Sequence, residues 1–184
     1  MVERASPFAA AVSARADGVR MSAQPRGSLW QVACWADRFD TVEKALAMEC
    51  GCAEPAPGRM IRTRSDSLLI RIEPLKWWVL GPDGADCPLR PAPEDGAWLD
   101  MAHDQAGIVL SGENAAEVLK RMVSLDLRPQ SFPDLSFATT QMHHMITRVL
   151  RRDDADGPSF EVMVMRSYAD DLREIAEHHL AHFG

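Results

Sequence analysis

The 184-residue sequence predicts an α+β protein in which antiparallel or mixed sheets are covered by helices. Three observations carry that prediction. Strand-like and helix-like stretches run β-α-β before residue 81 and β-β-α-β-β-α after residue 97. In SFEVMVM (159–165), Phe160, Val162 and Val164 share one side and Met163 and Met165 the other, so this strand needs cover on both faces. The composition, 46% hydrophobic and 26% charged, is that of a globular chain able to bury a core.

Residues 1–27 read as an N-terminal arm, mobile or bound to a partner. Glu3 and Arg4 stand where a secretory signal has its basic segment, FAAAV is too short for the apolar part, and Glu3 and Asp17 oppose a transit peptide. SLWQVACW (28–35), β-branched and aromatic after Pro25 and Gly27, reads as a strand. In DTVEKALAMEC, Asp40 is expected to cap a helix with Glu43 three residues on, Val42, Ala45 and Leu46 share a face, and Gly51 is the stop. EPAPG (54–58) is a loop, and 59–82 divides into two or three short strands about a turn at Ser65-Asp66-Ser67.

The Pro-, Gly- and Asp-rich stretch 81–96 is expected to join two halves, so that a domain over 28–184 has lobes at 28–80 and 97–184. AWLDMAH and AGIVLSG then flank Asp104-Gln105 as the arms of a hairpin. Gly112 opens a helix in which Ala115, Val118, Leu119 and Met122 fall on one face. Pro129 and Pro133 mark a loop, 137–152 is a long strand or a bent strand pair, and DDADGPS is a turn. Ser167 and Asp170 have capping-box spacing, after which Tyr168, Leu172, Ile175, Ala176 and Leu180 follow a helical repeat to His182.

The net charge of −7 and pI near 5.3 come without a basic stripe, which argues against nucleic acid and against an anionic membrane surface as partners. No apolar run approaches the roughly 20 residues that span a bilayer. The expected setting is the cytoplasm, with Cys34, Cys50, Cys52 and Cys87 as free thiols. Cys50-Gly51-Cys52 is C-x-C, so a metal site would also need Cys34 and Cys87 to converge on it.

The stretch DMAHDQAGIVLSGENAAEVLKRMVSLDLRP (100–129) carries Asp100, His103, Asp104, Glu113 and Asp126. Paired carboxylates can divide acid and base roles, but Asp100 and Asp104 read more simply as a strand-end and a turn aspartate. The adjacent pairs His143-His144 and His178-His179 point apart on a strand or a helix and do not chelate one metal. Ser111-Gly112-Glu113 is not a nucleophile elbow, and the free N–H groups of a helix start at Gly112 are a general feature of helices. No catalytic, cofactor-binding or metal-binding residue is assigned. Trp77-Trp78, with the chain's 5 Trp and 10 Met, fits either a sheet packed on both sides or a protein interface.

PLKWWVLGP, WLDMAHDQAGIVLSGENAAEVLKRMVSLDLRP, FATTQMHHMITRVLRR and SFEVMVMRSYADDLREIAEHHL, in this order, resemble the gamma subunit of heterotetrameric sarcosine oxidase over residues 70–181. The more specific pieces are the aspartate-to-LSG segment (100–112), Gly112 with Ala115, Leu125-Asp126-Leu127 with Pro129, and RSYADDL (166–172). That family is similar to the folate-binding domains of aminomethyltransferases, the T-protein of glycine cleavage. The resemblance implies a non-catalytic small subunit for assembly and support, with alpha, beta and delta subunits as partners. FAD, FMN, NAD, tetrahydrofolate and zinc would then lie on those partners and none on this chain, while sarcosine is oxidatively demethylated and its one-carbon unit passes to tetrahydrofolate. The family's Ser-His pair after the aspartate is Met101-Ala102-His103 here. Rival readings are a stand-alone folate-binding one-carbon transferase using Asp100 or Asp104, the small subunit of a related N-methyl amino acid dehydrogenase, and a homo-oligomeric binding module.

Overall fold

The computed structural model describes residues 6–24, 27–155 and 157–183. In chain order these form β1 (Ser13–Ala16), β2 (Val19–Ala23), β3 (Ser28–Cys34), α1 (Phe39–Cys50), β4 (Met60–Arg62), β5 (Leu68–Glu73), β6 (Lys76–Gly81), β7 (Gly96–Asp100), β8 (Gln105–Ser111), α2 (Ala115–Leu119), β9 (Phe137–Met142), β10 (Met145–Arg151), β11 (Ser159–Met165) and α3 (Ala169–Ala181). The α+β expectation holds, with two antiparallel sheets. The chain divides into two compact units, one of residues 1–24 with 104–184 and one of 25–103.

The first unit carries a six-stranded sheet, β1-β2-β8-β11-β10-β9. β11 lies between β8 and β10 and every residue from Ser159 to Val164 is buried, as its two apolar faces require. On one face Phe160, Val162, Ile108, Leu110 and Val149 pack in a core with Val118 and Leu119 of α2 and Leu172, Ala176 and Leu180 of α3. The stretch 137–152 is a strand pair, and its two-residue turn is His143-His144, with His143 at φ 51°.

The arm expected over 1–27 is a correction in its middle part. Residues 13–23 form a hairpin about Asp17-Gly18, with Gly18 at φ 65°, and Val19 and Met21 enter the core. Asp-Gly between alternating residues is the strongest short hairpin signal, and it was present in the sequence. Glu3, Arg4 and Pro25 lie outside the described residues. Gly112 explains itself against this hairpin: at φ 114° a Cβ there would stand 2.2 Å from the Gly18 carbonyl oxygen. The Gly18 carbonyl also accepts the Asn114 N–H at 3.3 Å.

The second unit carries a five-stranded sheet, β4-β5-β6-β3-β7, with α1 on one face. Val42, Leu46 and Cys50 of α1 meet Val32, Leu69, Trp77 and Val79. Gly51 does end α1, in the left-handed region at φ 63°, with its N–H on Met48 and that of Cys52 on Ala47. Asp40 is not the cap, because a 3-10 turn at Ala36–Arg38 runs into the helix and puts Asp40 inside its first turn. Ser167 fails as a cap for the same reason, since the turn Arg166–Tyr168 leads into α3; Asp170 instead accepts the Ala9 N–H at 3.1 Å.

Two expectations about connectivity are also corrected. β7 pairs with β3 and β8 with β2 and β11, so 97–111 is not a hairpin. The stretch 81–96 joins β6 to β7 inside one unit, and the later boundary falls between His103 and Asp104 rather than at that loop.

Candidate functional site

The buried ionisable group with the most developed surroundings is Glu161, which the reading of motifs passed over. It sits on β11 opposite Val109 and Leu150 and is 5% exposed. Gln24 Nε2 and Arg152 Nη1, the latter at 3.5 Å, donate to its two carboxylate oxygens. Gln24 is held by its own N–H on the Gly107 carbonyl at 2.8 Å. Its side chain crosses the spot where a Cβ at position 107 would be, 2.2 Å from Oε1, so any larger residue at 107 would displace the Gln24 amide. Burial pushes the Glu161 carboxyl up, opposed by Arg152 and Gln24. A carboxyl raised in this way can serve as an acid or base, but both oxygens here are occupied by protein donors. The arrangement is a satisfied core charge.

Three acidic residues of 100–129, Asp100, Asp104 and Asp126, are held locally. Asp100 Oδ1 accepts the Ala102 N–H at 2.9 Å, an Asx turn closing β7. Asp104 accepts from the Gln105 amide, and its main-chain oxygen takes the Arg166 N–H at 2.8 Å. Asp126 binds Arg128 through two oxygens, at 2.8 and 2.6 Å, and the Ser131 hydroxyl at 2.7 Å. The hydrogen bonds from Arg128 and then Ser131 hold its carboxyl well below the usual range. His103 and Glu113 are outside these contacts and at the surface.

The histidines gather more than their pairwise reading allowed. His178 and His182 are i, i+4, and their rings stand 4.5 Å apart, with His182 Nδ1 2.8 Å from the His178 carbonyl oxygen. Burial, then electrostatic repulsion from His178, Arg121, His143 and His182, lowers the pKa of His179. Among the described residues no group of three or more His, Cys, Asp or Glu is placed to hold a metal. The four cysteines are free. Burial, then Cys52 and Cys87, push the Cys50 thiol up to about 12, and burial raises the other three, so these are protonated thiols and weak nucleophiles.

An open depression of about 400 Å³ lies beside Asp37, Phe39, Asp40, Arg71 and Pro74. Arg71 at its wall is already engaged, 3.6 Å from Glu43, donating to the Pro74 carbonyl at 2.8 Å and lying 4.7 Å over the Phe39 ring. Trp77 and Trp78 are both 1% exposed. Trp77 stacks on Phe39, while Trp78 on the other face donates to Gln31 Oε1 at 3.1 Å, so both belong to the interior of the chain. Among the described residues the large apolar side chains that stay open are Trp35, Met48, and Trp98 and Leu99 on β7, with Ile146 and Met165 on neighbouring strands β10 and β11. Among the described residues no helix is long and apolar enough to cross a membrane.

No protein-family model and no curated protein matches the sequence. Among solved structures, the chain is similar to a chain of the heterotetrameric sarcosine oxidase from Corynebacterium sp. U-96, solved in complex with pyrrole 2-carboxylate. The TM-score is 0.81 at 20% identity, over 98% of this chain and 96% of that one. The likeness is one of fold, and it runs through nearly the full length of both chains.

Proposed function

We propose that this chain is the gamma-type small subunit of a heterotetrameric sarcosine oxidase-type complex, acting in assembly and support rather than catalysis. The observation that carries the reading is the end-to-end fold likeness to a chain of such an oxidase, of nearly equal length. It agrees with the motif series from PLKWWVLGP to RSYADDL, which resembles the same subunit. The local contacts of Asp100, Asp104 and Asp126 agree as well: the first and last close a turn and a loop, and Asp104 binds the neighbouring Gln105 amide. In this reading the fold is that of an aminomethyltransferase folate-binding domain without its chemistry. Alpha, beta and delta subunits are the partners, in the cytoplasm, and they carry FAD, FMN, NAD, tetrahydrofolate and zinc.

The test is purification of the tagged chain from its native source, with partners identified by mass and a visible absorption spectrum of the product. A yellow complex that oxidises sarcosine is the expected result. A colourless chain recovered alone, binding a reduced folate, would overturn the reading in favour of a stand-alone transferase. A flavin complex that turns over N-methylglutamate and not sarcosine would keep the subunit role and reassign the substrate.

A further inference from the structure

The five-stranded sheet ends on β7, and β7 lacks the features that usually protect a sheet edge. Natural edge strands are shortened, charged, bulged or broken by proline so that they do not pair with other chains. β4, at the opposite edge, is three residues long and lies among Arg59, Arg62 and Arg64. In the other sheet β1 is four residues long with a central Arg15, and β9 shows Thr139 and Gln141 to solvent. β7 has no lysine, proline or bulge. It exposes Leu99 at 54% on one face and, on the other, Trp98 at 38%, whose ring keeps one edge open while packing on Trp30 at 5.7 Å and under the Arg90 guanidinium at 4.7 Å.

Its hydrogen bonding is half used. The Met101 N–H meets the Leu29 carbonyl at 2.7 Å and the Trp35 N–H meets the Asp95 carbonyl at 3.1 Å. Antiparallel alternation between these two points turns the N–H and C=O groups of Ala97 and Leu99 toward β3. Those of Trp98 and Asp100 therefore point outward from the sheet. Acidic residues stand at both ends of the strand: Glu94 before it, next to an Asp95 that pairs with Arg38 at 3.7 Å, and Asp100 as its last residue, with one carboxylate oxygen on the Ala102 N–H.

We propose that the free edge of β7 is where an extended strand of a partner subunit, apolar at its centre and basic at its ends, adds to the five-stranded sheet. The outward groups of Trp98 and Asp100 would supply the main-chain ladder, the Trp98 and Leu99 side chains would clasp the added strand from both faces, and the acidic ends would set its register. The inference rests on the reading of this chain as a subunit of a hetero-complex.

Amide hydrogen exchange tests it on the intact complex and on the isolated chain. In the isolated chain, Ala97 and Leu99 should be protected and Trp98 and Asp100 should exchange freely. In the complex the latter two should slow by about ten-fold or more, as amides that join a ladder do. Trp98→Pro removes an outward donor that β3 does not use. With Ala97 and Leu99 still protected as proof of folding, it should lower recovery of complex about ten-fold. A complex in which Trp98 and Asp100 exchange as fast as in the free chain would overturn the proposal while leaving the subunit role standing. Failure to find any partner would overturn both. Protection of the two amides in a dimer of the isolated chain would assign the edge to a second copy and overturn it too.

Discussion

The six-stranded sheet keeps its most apolar strand, β11, in the middle and polar or short strands at its rims, whereas the five-stranded sheet ends on a strand that leaves Trp98 and Leu99 in the open. The two also differ in how the chain makes them. The first sheet recruits residues 13–23 to stand beside strands drawn from 105–165, while the second is made from residues 28–100 alone. One region is organised around a centre that must be buried, and the other leaves an edge unfinished. The same residue types carry different weight in the two places, because burial rather than identity sets their energetic role.

Substitutions can break or sharpen this contrast. The largest effect is expected at the centre of the first sheet, where Phe160→Ala should cost about 3–5 kcal/mol in denaturant unfolding, with Leu172→Ala on the covering helix at about 2–5 kcal/mol. If either lost less than about 1 kcal/mol, the core of this unit would be misplaced. Gly112→Ala comes next, at about 1–3 kcal/mol from backbone strain, because its φ of 114° is hostile to a side chain and the Gly18 carbonyl blocks the added methyl.

Glu161 supplies a pH test of the same sheet. Its folded-state pKa is raised above the ordinary value of 4.5, so its contribution is full below that pH and is lost as pH climbs through the raised value. As pH climbs above about 4.5 the parent chain should lose stability relative to Glu161→Gln. Parallel pH profiles would mean that the carboxyl titrates normally and that its burial is misjudged. The smallest effect belongs to the open edge: Leu99→Ala should change stability by no more than about 0.5 kcal/mol, measured by the same unfolding curves. A cost of several times that would show that β7 is packed, and the contrast between the sheets would fall.

Much of this was readable along the chain. The two-faced apolarity of 159–165 announced a central strand, the spacing of Leu172, Ala176 and Leu180 a helix face, and Gly51 a helix stop. Asp17-Gly18 and the i, i+4 spacing of His178 and His182 were equally present and needed only to be noticed. Glu161 was hidden because a single acid within an apolar strand carries no motif, and its partners Gln24 and Arg152 come from distant and near parts of the chain.

What the sequence determined by itself was therefore local: which stretches are strands or helices, which faces are apolar, and where glycine must end or turn the backbone. The physical basis is that φ/ψ preference and side-chain periodicity act over a few residues. Strand partnership was decided only in the tertiary structure. β7 and β8 follow one another along the chain yet join different sheets, and residues 13–23 leave the expected arm to line the six-stranded one. The helix caps were settled the same way, since the lead-in turns Ala36–Arg38 and Arg166–Tyr168 place Asp40 and Ser167 inside the helical run instead of at its start. Which edges pair depends on which faces find cover, and that cover comes from residues far along the chain that no local window contains.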